Sequence, residues 1–250
     1  MQTYIEAISV NHATSLYMEL MLRSLFVQHP AKLPMSLTIM NNASDDDTTT
    51  LVEYAASQGI SVTPSGYAIR TQNNSHGEIL RNFVLTHPGC SHYLFLDADV
   101  CFVEENTLGT MLVELEQATT AFAIGPRFSW DGKTEIPLSV RQTNPDICDA
   151  RLHPGCALVR NTPLFRHIVE VIGLSCVNYL WADRDEYLDT FKLMTQVMLT
   201  HNLTHIFSTA MVQHTFSVSY SSDSAETLEH KTRMRDQRLA VLRGRGALSL

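Results

Sequence analysis

The chain has 250 residues, 44% of them hydrophobic and 18% charged, with a formal net charge of -8 at pH 7. That size and balance suit one substantial buried core, and the acidic surplus argues against nonspecific nucleic-acid binding by the body of the chain. No apolar run reaches the roughly 20 residues that span a bilayer. The start, Met1-Gln2-Thr3-Tyr4-Ile5-Glu6, lacks the basic and apolar blocks of a secretory signal, so the expectation is a cytoplasmic protein, peripheral to a membrane at most. The cysteines, Cys90, Cys101, Cys148, Cys156 and Cys176, are odd in number and show no metal spacing, which disfavours a disulfide scaffold and a structural zinc.

Residues 4–10 are β-rich and predict a first strand, broken by Asn11-His12. Leu16, Met18, Leu20, Met21, Leu25 and Phe26 give an apolar helical face, with Thr14 or Ser15 as N-cap and His29-Pro30 as the stop. A second strand follows at 33–40, a polar loop to Thr48, a helix over 49–57 ended by Gly59, and a short third strand at 60–62. This β-α-β-α-β order favours a layered α/β fold. Residues 64–76 read as loop, 78–85 as helix, 104–115 as helix, and 120–124 as a strand closing at Gly125-Pro126. Trp130-Asp131-Gly132 reads as a turn and 156–160 as a strand. Thr162 then caps a helix through Ile172, with Pro163 at its first position. The longest expected helix covers 186–201, and Ile206-Phe207 and Met211-Val212 flank a turn ahead of His214. Lys231, Arg233, Arg235, Arg238, Arg243 and Arg245 gather near the end. They read as a solvated tail helix, or else as a clamp for phosphate or an acidic partner.

The stretch that organises the chain is Tyr93-Leu94-Phe95-Leu96-Asp97-Ala98-Asp99-Val100. Its apolar run is that of a strand covered on both faces. It ends in two carboxylates, where open α/β sheets bind their ligands. Ala98 is small enough to let both acids approach one ligand, and with a bound phosphate they supply oxygens for a hard divalent cation. A capping pair for a following helix is the plainer alternative.

Several blocks in order make the chain resemble nucleotide-sugar glycosyltransferases of the GT-A fold, close to family 2 and its relatives. Ile8-Ser9-Val10-Asn11 resembles the opening strand and its edge, and Met40-Asn41-Asn42-Ala43-Ser44-Asp45-Asp46-Asp47-Thr48 the second-strand block. Gly77 with Arg81-Asn82 resembles the glycine-to-asparagine block, and Leu96-Asp97-Ala98-Asp99 the Asp-x-Asp block. These cover about residues 4 to 125. Asn41 departs from the aspartate that contacts the base in the family, adding an amide donor and losing the charge. Asp47 stands where a turn glycine is usual. Trp181-Ala182-Asp183-Arg184-Asp185-Glu186-Tyr187-Leu188-Asp189-Thr190 resembles a Glu-x-x-Asp-Thr variant of the acceptor block.

The resemblance implies a Rossmann-like three-layer α/β/α fold with a mostly parallel central sheet, as one domain over 1–250. Its nucleotide-sugar half would span about 1–125, its acceptor half about 126–220, and a basic C-terminal helix or tail about 221–250. It implies metal-dependent transfer of a sugar from a nucleoside diphosphate sugar, with UDP the expected nucleotide and inversion the expected outcome. The acceptor would be small or soluble, a glycan or a protein. Val10, Asn11, Asn41, Ser44, Asp46, Arg81, Asn82, Asp97 and Ala98 are then donor-binding candidates. Asp99 is the expected direct metal contact, with Asp97 at the ribose or at the metal through water and His214 as third ligand. An imidazole suits Mn2+ better than strict Mg2+. Asp189 is the expected base, with Asp185 and Glu186 as rivals; Asp185 and Asp189 would share a helix face. Plainer roles are a helix cap for Asp46, a surface charge for Arg81 and a structural pin for Asp189. His153-Pro154-Gly155 is expected to shape the hexose site, and Trp130 and Trp181 to stack on an acceptor. A retaining transferase and a catalytically silent sugar-nucleotide-binding protein are the alternatives. A nucleotidyltransferase is disfavoured because no glycine-rich, lysine-bearing loop follows the first strand. A homodimer stays open.

Overall fold

A computed structural model describes residues 3–31, 33–67, 72–145, 151–180, 182–218 and 224–246, with the backbone alone for 72–74 and 245–246. Trp181 and Cys148 lie outside the described residues. The elements in chain order are β1 (Ile5–Asn11), α1 (Ser15–Gln28), β2 (Met35–Asn41), α2 (Thr49–Ser57), β3 (Val62–Pro64), α3 (Gln72–Thr86), β4 (His92–Asp97) and β5 (Val100–Phe102). There follow α4 (Thr107–Gln117), β6 (Ala121–Ser129), α5 (Leu138–Thr143), β7 (Cys156–Arg160), α6 (Pro163–Ile172), β8 (Val177–Leu180), β9 (Asp185–Leu188), α7 (Lys192–Thr200), β10 (Thr204–His214) and α8 (Ala225–Gly246).

One eight-stranded sheet runs β3-β2-β1-β4-β7-β6-β10-β5. The pairs β1·β2, β1·β4, β2·β3 and β6·β10 are parallel, and β7 and β5 enter antiparallel. This is the mixed, mostly parallel sheet expected. Successive strand residues face opposite sides, and both sides are buried. Ala7, Leu94 and Leu96 pack with Met18, Met21 and Leu25 of α1, Leu51 of α2 and Met111 and Leu115 of α4. Ile8, Tyr93 and Phe95 pack with Phe83 of α3, Phe165 and Val169 of α6 and Met194 and Met198 of α7. The result is three layers, helices over both faces of the sheet.

Several boundaries follow expectation closely. β7 falls on 156–160, and the Thr162 hydroxyl accepts the Phe165 amide with Pro163 at the start of α6. β3 sits two residues later than expected, and α3 begins at Gln72 rather than near Glu78. Gly77 therefore lies within α3, where an added Cβ would stand 2.2 Å from Ser175 Cα. The glycine lets that helix meet the backbone of the 174–176 segment.

Three larger corrections have identifiable causes. β6 runs through Gly125-Pro126 to Ser129. Pairing with β7 ends after Ile124, and β10 shifts register between Phe207 and Met211, so Pro126 sits where the ladder asks for no N–H. The turn expected within 206–212 is this bulge in a continuous strand. The Glu114 carboxylate accepts the Thr209 amide and hydroxyl, and Glu104 accepts the Met211 amide, which satisfies the interrupted backbone. The helix expected over 186–201 divides in two. Residues 185–188 form β9, which pairs with β8 in a hairpin, and α7 starts only at Lys192. The apolar spacing mixed two buried sets: Leu188 belongs to the hairpin, while Phe191 turns the chain at φ 70 and packs edge-to-face on Phe95.

The basic C-terminal segment is a docked helix and not a solvated tail. Arg243 pairs with Glu19, which is fully buried in α1 and also pairs with Arg23. Arg235 lies over the Tyr17 ring, Arg238 donates to the Asp131 carbonyl, and Lys231 Nζ donates to the Phe216 carbonyl at 2.6 Å. Among the described residues no helix is long and apolar enough to cross a membrane.

Candidate metal centre

Strand β1 lies between β2 and β4, so the direction of winding changes beside it, and at such a switch point the carboxyl ends of the strands open a crevice for ligands. Val10 and Asp97 are register partners there, each near the end of its strand. The turn Ala98-Asp99 links β4 to β5, and β10 runs antiparallel to β5 with His214 opposite Val100. Three strands thus bring two carboxylates and one imidazole to one point.

His214 Nε2 stands 3.0 Å from Asp99 Oδ1 and 3.5 Å from Asp97 Oδ2, with the histidine side chain 4% exposed. Neither contact has the alignment of a hydrogen bond, and both ring nitrogens are buried without a hydrogen-bond partner. Two carboxylates and an imidazole that converge at these distances suit a shared cation: neighbouring ligands at about 2.1 Å from an octahedral ion lie about 3.0 Å apart. A ring nitrogen of His153 also lies within 4.8 Å of the Asp97 and His214 atoms, beside that ligand set. The residues present fit a divalent cation with mixed oxygen and imidazole ligands, a set that Mn2+ accepts.

The electrostatics are those of charges held together. Burial would lower the His214 pKa, but Asp99 and Asp97 outweigh it and push it up to about 9. Burial would raise the Asp97 carboxyl, yet His214, His76 and His153 hold it well below the carboxylate range. His153 goes the other way: burial first, then Arg151 and His214, keeps its imidazole neutral. Its Nδ1 accepts the Gly155 amide at 3.0 Å, so the ring proton resides on Nε2 and the side chain is a donor beside the cluster. A Cβ on Gly155 would stand 2.9 Å from His153 Nδ1 and 3.3 Å from His214 Nε2. Phe128 and Phe216 pack against both histidine rings.

The centre lies in an open cleft of about 340 Å³. Val10, Asp97, Ala98, Asp99, His214 and Asp189 line it. Arg151, 5% exposed, donates to Asp189 Oδ2 at 2.6 Å and to the Thr190 carbonyl, while Asp189 Oδ1 accepts the Thr190 amide. His12, Thr14, Asn42, His76 and Arg151 line the cleft as well. None is a site candidate from sequence: His12 reads as a strand break, Thr14 as a helix cap and Asn42 as one residue of a polar block, while His76 and Arg151 carry no spacing signal.

The remaining candidates stand elsewhere. Asn11 is fully buried, and its amide serves Ser15, Asn41 and Ser44. Asp46 Oδ2 accepts the Ser15 amide at 2.7 Å and so caps α1 from the neighbouring loop. Arg81 donates to the Val169 and Glu170 carbonyls near the end of α6, and Asn82 to the Tyr67 hydroxyl. Asp185 and Glu186 lie on β9, outside the cleft lining, so no helix face joins Asp185 to Asp189. Trp130 is 45% exposed and also outside the lining. The left-handed residue of the 41–48 loop is Ala43, at φ 49, and not Asp47.

This architecture is an α/β fold of the GT-A, Rossmann-like kind, with a clustered Asp/His site able to coordinate a metal. No protein-family model and no curated protein sequence matches the chain. Solved structures do. A mannosyltransferase from Pyrobaculum calidifontis, in complex with GDP-Man and Mn2+, superposes with a TM-score of 0.59 at 13% identity, over 100% of this chain and 66% of that one. S. aureus TarS 1-349 with UDP-GlcNAc gives 0.57 at 14%, over 94% of this chain and 66% of that one. Glucosyl-3-phosphoglycerate synthase from Mycobacterium tuberculosis, with Mn2+ and UDP-Glc, gives 0.52 at 11%, over 97% and 79%. The chain thus spans about two thirds of the first two. At these identities the likeness shows the fold alone.

Proposed function

We propose that this chain is a metal-dependent glycosyltransferase that moves a sugar from a nucleoside diphosphate sugar, UDP-linked in the first instance, to a small or soluble acceptor. The observation that carries the reading is the convergence of Asp97, Asp99 and His214 at the strand ends, in a cleft that also holds Asp189. The solved structures of similar fold with Mn2+ and sugar nucleotides support it. Asp99 and His214 would hold the metal, with Asp97 beside them at the metal or the ribose. A metal bound there would neutralise the diphosphate and stabilise the departing nucleotide as its charge develops.

The chain's own groups supply the rest. His153, fixed as the Nε2–H tautomer, offers a hydrogen bond to anionic oxygens near the metal. Asp189 is the carboxylate in the cleft lining outside the metal cluster, and so the candidate to take the proton from an acceptor hydroxyl as the sugar transfers with inversion. Arg151 fixes its orientation. The same ion pair favours a second reading, retention, in which Asp189 anchors Arg151 and takes no proton. The test is product-detected turnover of UDP-, GDP- and dTDP-sugars with pooled acceptors, with and without Mn2+. Metal-dependent release of nucleoside diphosphate, lost in Asp99→Ala, supports the transferase, and the anomeric configuration of the product decides between inversion and retention. No donor binding by the folded, Mn2+-supplemented protein would overturn it.

A further inference from the structure

A metal-ligating histidine is ordinarily held in place by a hydrogen bond from its second ring nitrogen. Among the described residues His214 has no such partner: its Nδ1 is buried and bonded to nothing. Packing therefore sets where its Nε2 points. The rings of Phe128 and His153 stand 5.3 and 5.1 Å away between centroids. Phe216 is much nearer, at 3.8 Å and edge-on, with an interplanar angle of 74°. Its ring is the wall that keeps the imidazole turned toward Asp97 and Asp99.

Phe216 needs holding in its turn. It sits at φ 50 and Ser217 at φ 52, two consecutive left-handed residues without a glycine, a backbone that L side chains adopt at a cost. Both flanks are anchored. The Thr215 amide donates to the Asp99 carbonyl at 3.1 Å. From α8, the Lys231 ammonium donates to the Phe216 carbonyl at 2.6 Å, a charge-assisted bond. One residue before His214, Gln213 Nε2 donates to Met234 Sδ of the same helix at 3.0 Å. Helix α8 thus grips the chain on both sides of the histidine, and its own footing on α1 is the Arg243–Glu19 pair. Lys231 lies outside the cleft lining, so its effect on the cluster passes through the segment it holds.

We propose that Lys231 is a positioning residue for the metal centre: by holding the Phe216 carbonyl it keeps the Phe216 ring on His214, and so the C-terminal helix sets how tightly the cluster holds a divalent cation. This rests on the metal-centre reading and adds a determinant that lies outside the cleft. The test is titration of the full chain with Mn2+ alone near neutral pH, the free ion being read from its aqueous electron paramagnetic resonance signal. Lys231→Met should weaken Mn2+ binding at least about tenfold, the scale of a lost contact behind a metal ligand. Lys231→Arg, which can still donate to the carbonyl, should recover most of that loss. Phe216→Leu, which removes the ring and leaves Lys231 in place, should weaken binding comparably. The double variant should lose no more than the worse single one, because both act through one contact. Thr162→Ala, destabilised in α6 and outside the cleft lining, should bind Mn2+ as the wild type does. Unchanged affinity in folded Lys231→Met, losses that multiply in the double variant, or an equal loss in Thr162→Ala would overturn the inference and leave the metal centre standing. Should Lys231→Met fail to fold, Phe216→Leu carries the test, a loss of about tenfold supporting the inference and wild-type affinity overturning it. A wild type that binds Mn2+ no better than Asp99→Ala would overturn the metal-centre reading itself, and this inference with it.

Discussion

Asp189 is bound through both oxygens, by Arg151 on one and by its neighbour's amide on the other, and it still lines the cleft. If it is the base, Asp189→Asn keeps the shape and hydrogen bonding while removing the proton acceptor. The expected outcome is a fall in kcat of about 10²- to 10⁴-fold with donor affinity unchanged, read by steady-state kinetics and calorimetry on the same samples. An unchanged kcat would make Asp189 a structural partner of Arg151. At this scale the sequence spoke where residue type and strand position coincide. Two acids at the end of an apolar strand, and a histidine closing another, do meet in one cleft. Asn41, Ser44 and Asp46 were legible as a polar block but not as to side. They face the β1–α1 junction behind the cleft, and only pairing geometry reveals that. His76 and Arg151 carried no pattern at all.

Among the elements, the helix cap at Thr162 was readable because capping is local chemistry. Thr162→Ala should lower stability by about 1 kcal/mol in urea unfolding. Gly77 was readable as a landmark, and its reason lies in tertiary contact: α3 leaves no room for a side chain against Ser175. Gly77→Ala should cost about 3 kcal/mol, the upper range of overpacking, by the same assay. The 186–201 stretch misled because helical spacing of apolar residues cannot distinguish one helix from a hairpin followed by a helix. The break is set by β8·β9 pairing and by the left-handed Phe191, both non-local in origin. Likewise Gly125-Pro126 reads as a stop, and only the bulge in β10 lets the strand continue.

For the whole molecule, the basic C-terminal helix closes the fold. Arg243→Ala removes two charged hydrogen bonds to a buried carboxylate and should cost about 2 kcal/mol in denaturant unfolding. Acid should act through two sets of groups. Burial lowers the pKa of His29, whose Nδ1 donates to Leu25 and whose Nε2 accepts from Leu108, and burial likewise lowers that of His92. With folded values below the ordinary 6.5, their contribution is present above that pH and is lost as pH falls below it. Burial would raise Glu19, but Arg243, Arg23 and Thr50 outweigh it and hold its pKa below the ordinary 4.5. Its contribution is present above that value and is lost as pH falls through the folded one. The urea midpoint should therefore drop in two stages on acidification, and His29→Gln should flatten the first. The central claim is that Asp97, Asp99 and His214 form a metal centre that holds a nucleoside diphosphate. It is tested most directly by calorimetric titration with UDP and GDP in Mn2+ and in chelator, for the wild type and Asp99→Ala. The metal centre predicts binding in Mn2+, loss of binding in chelator, and at least about 100-fold weaker binding in the variant. Equal affinity in chelator, or an unchanged Asp99→Ala, would contradict it.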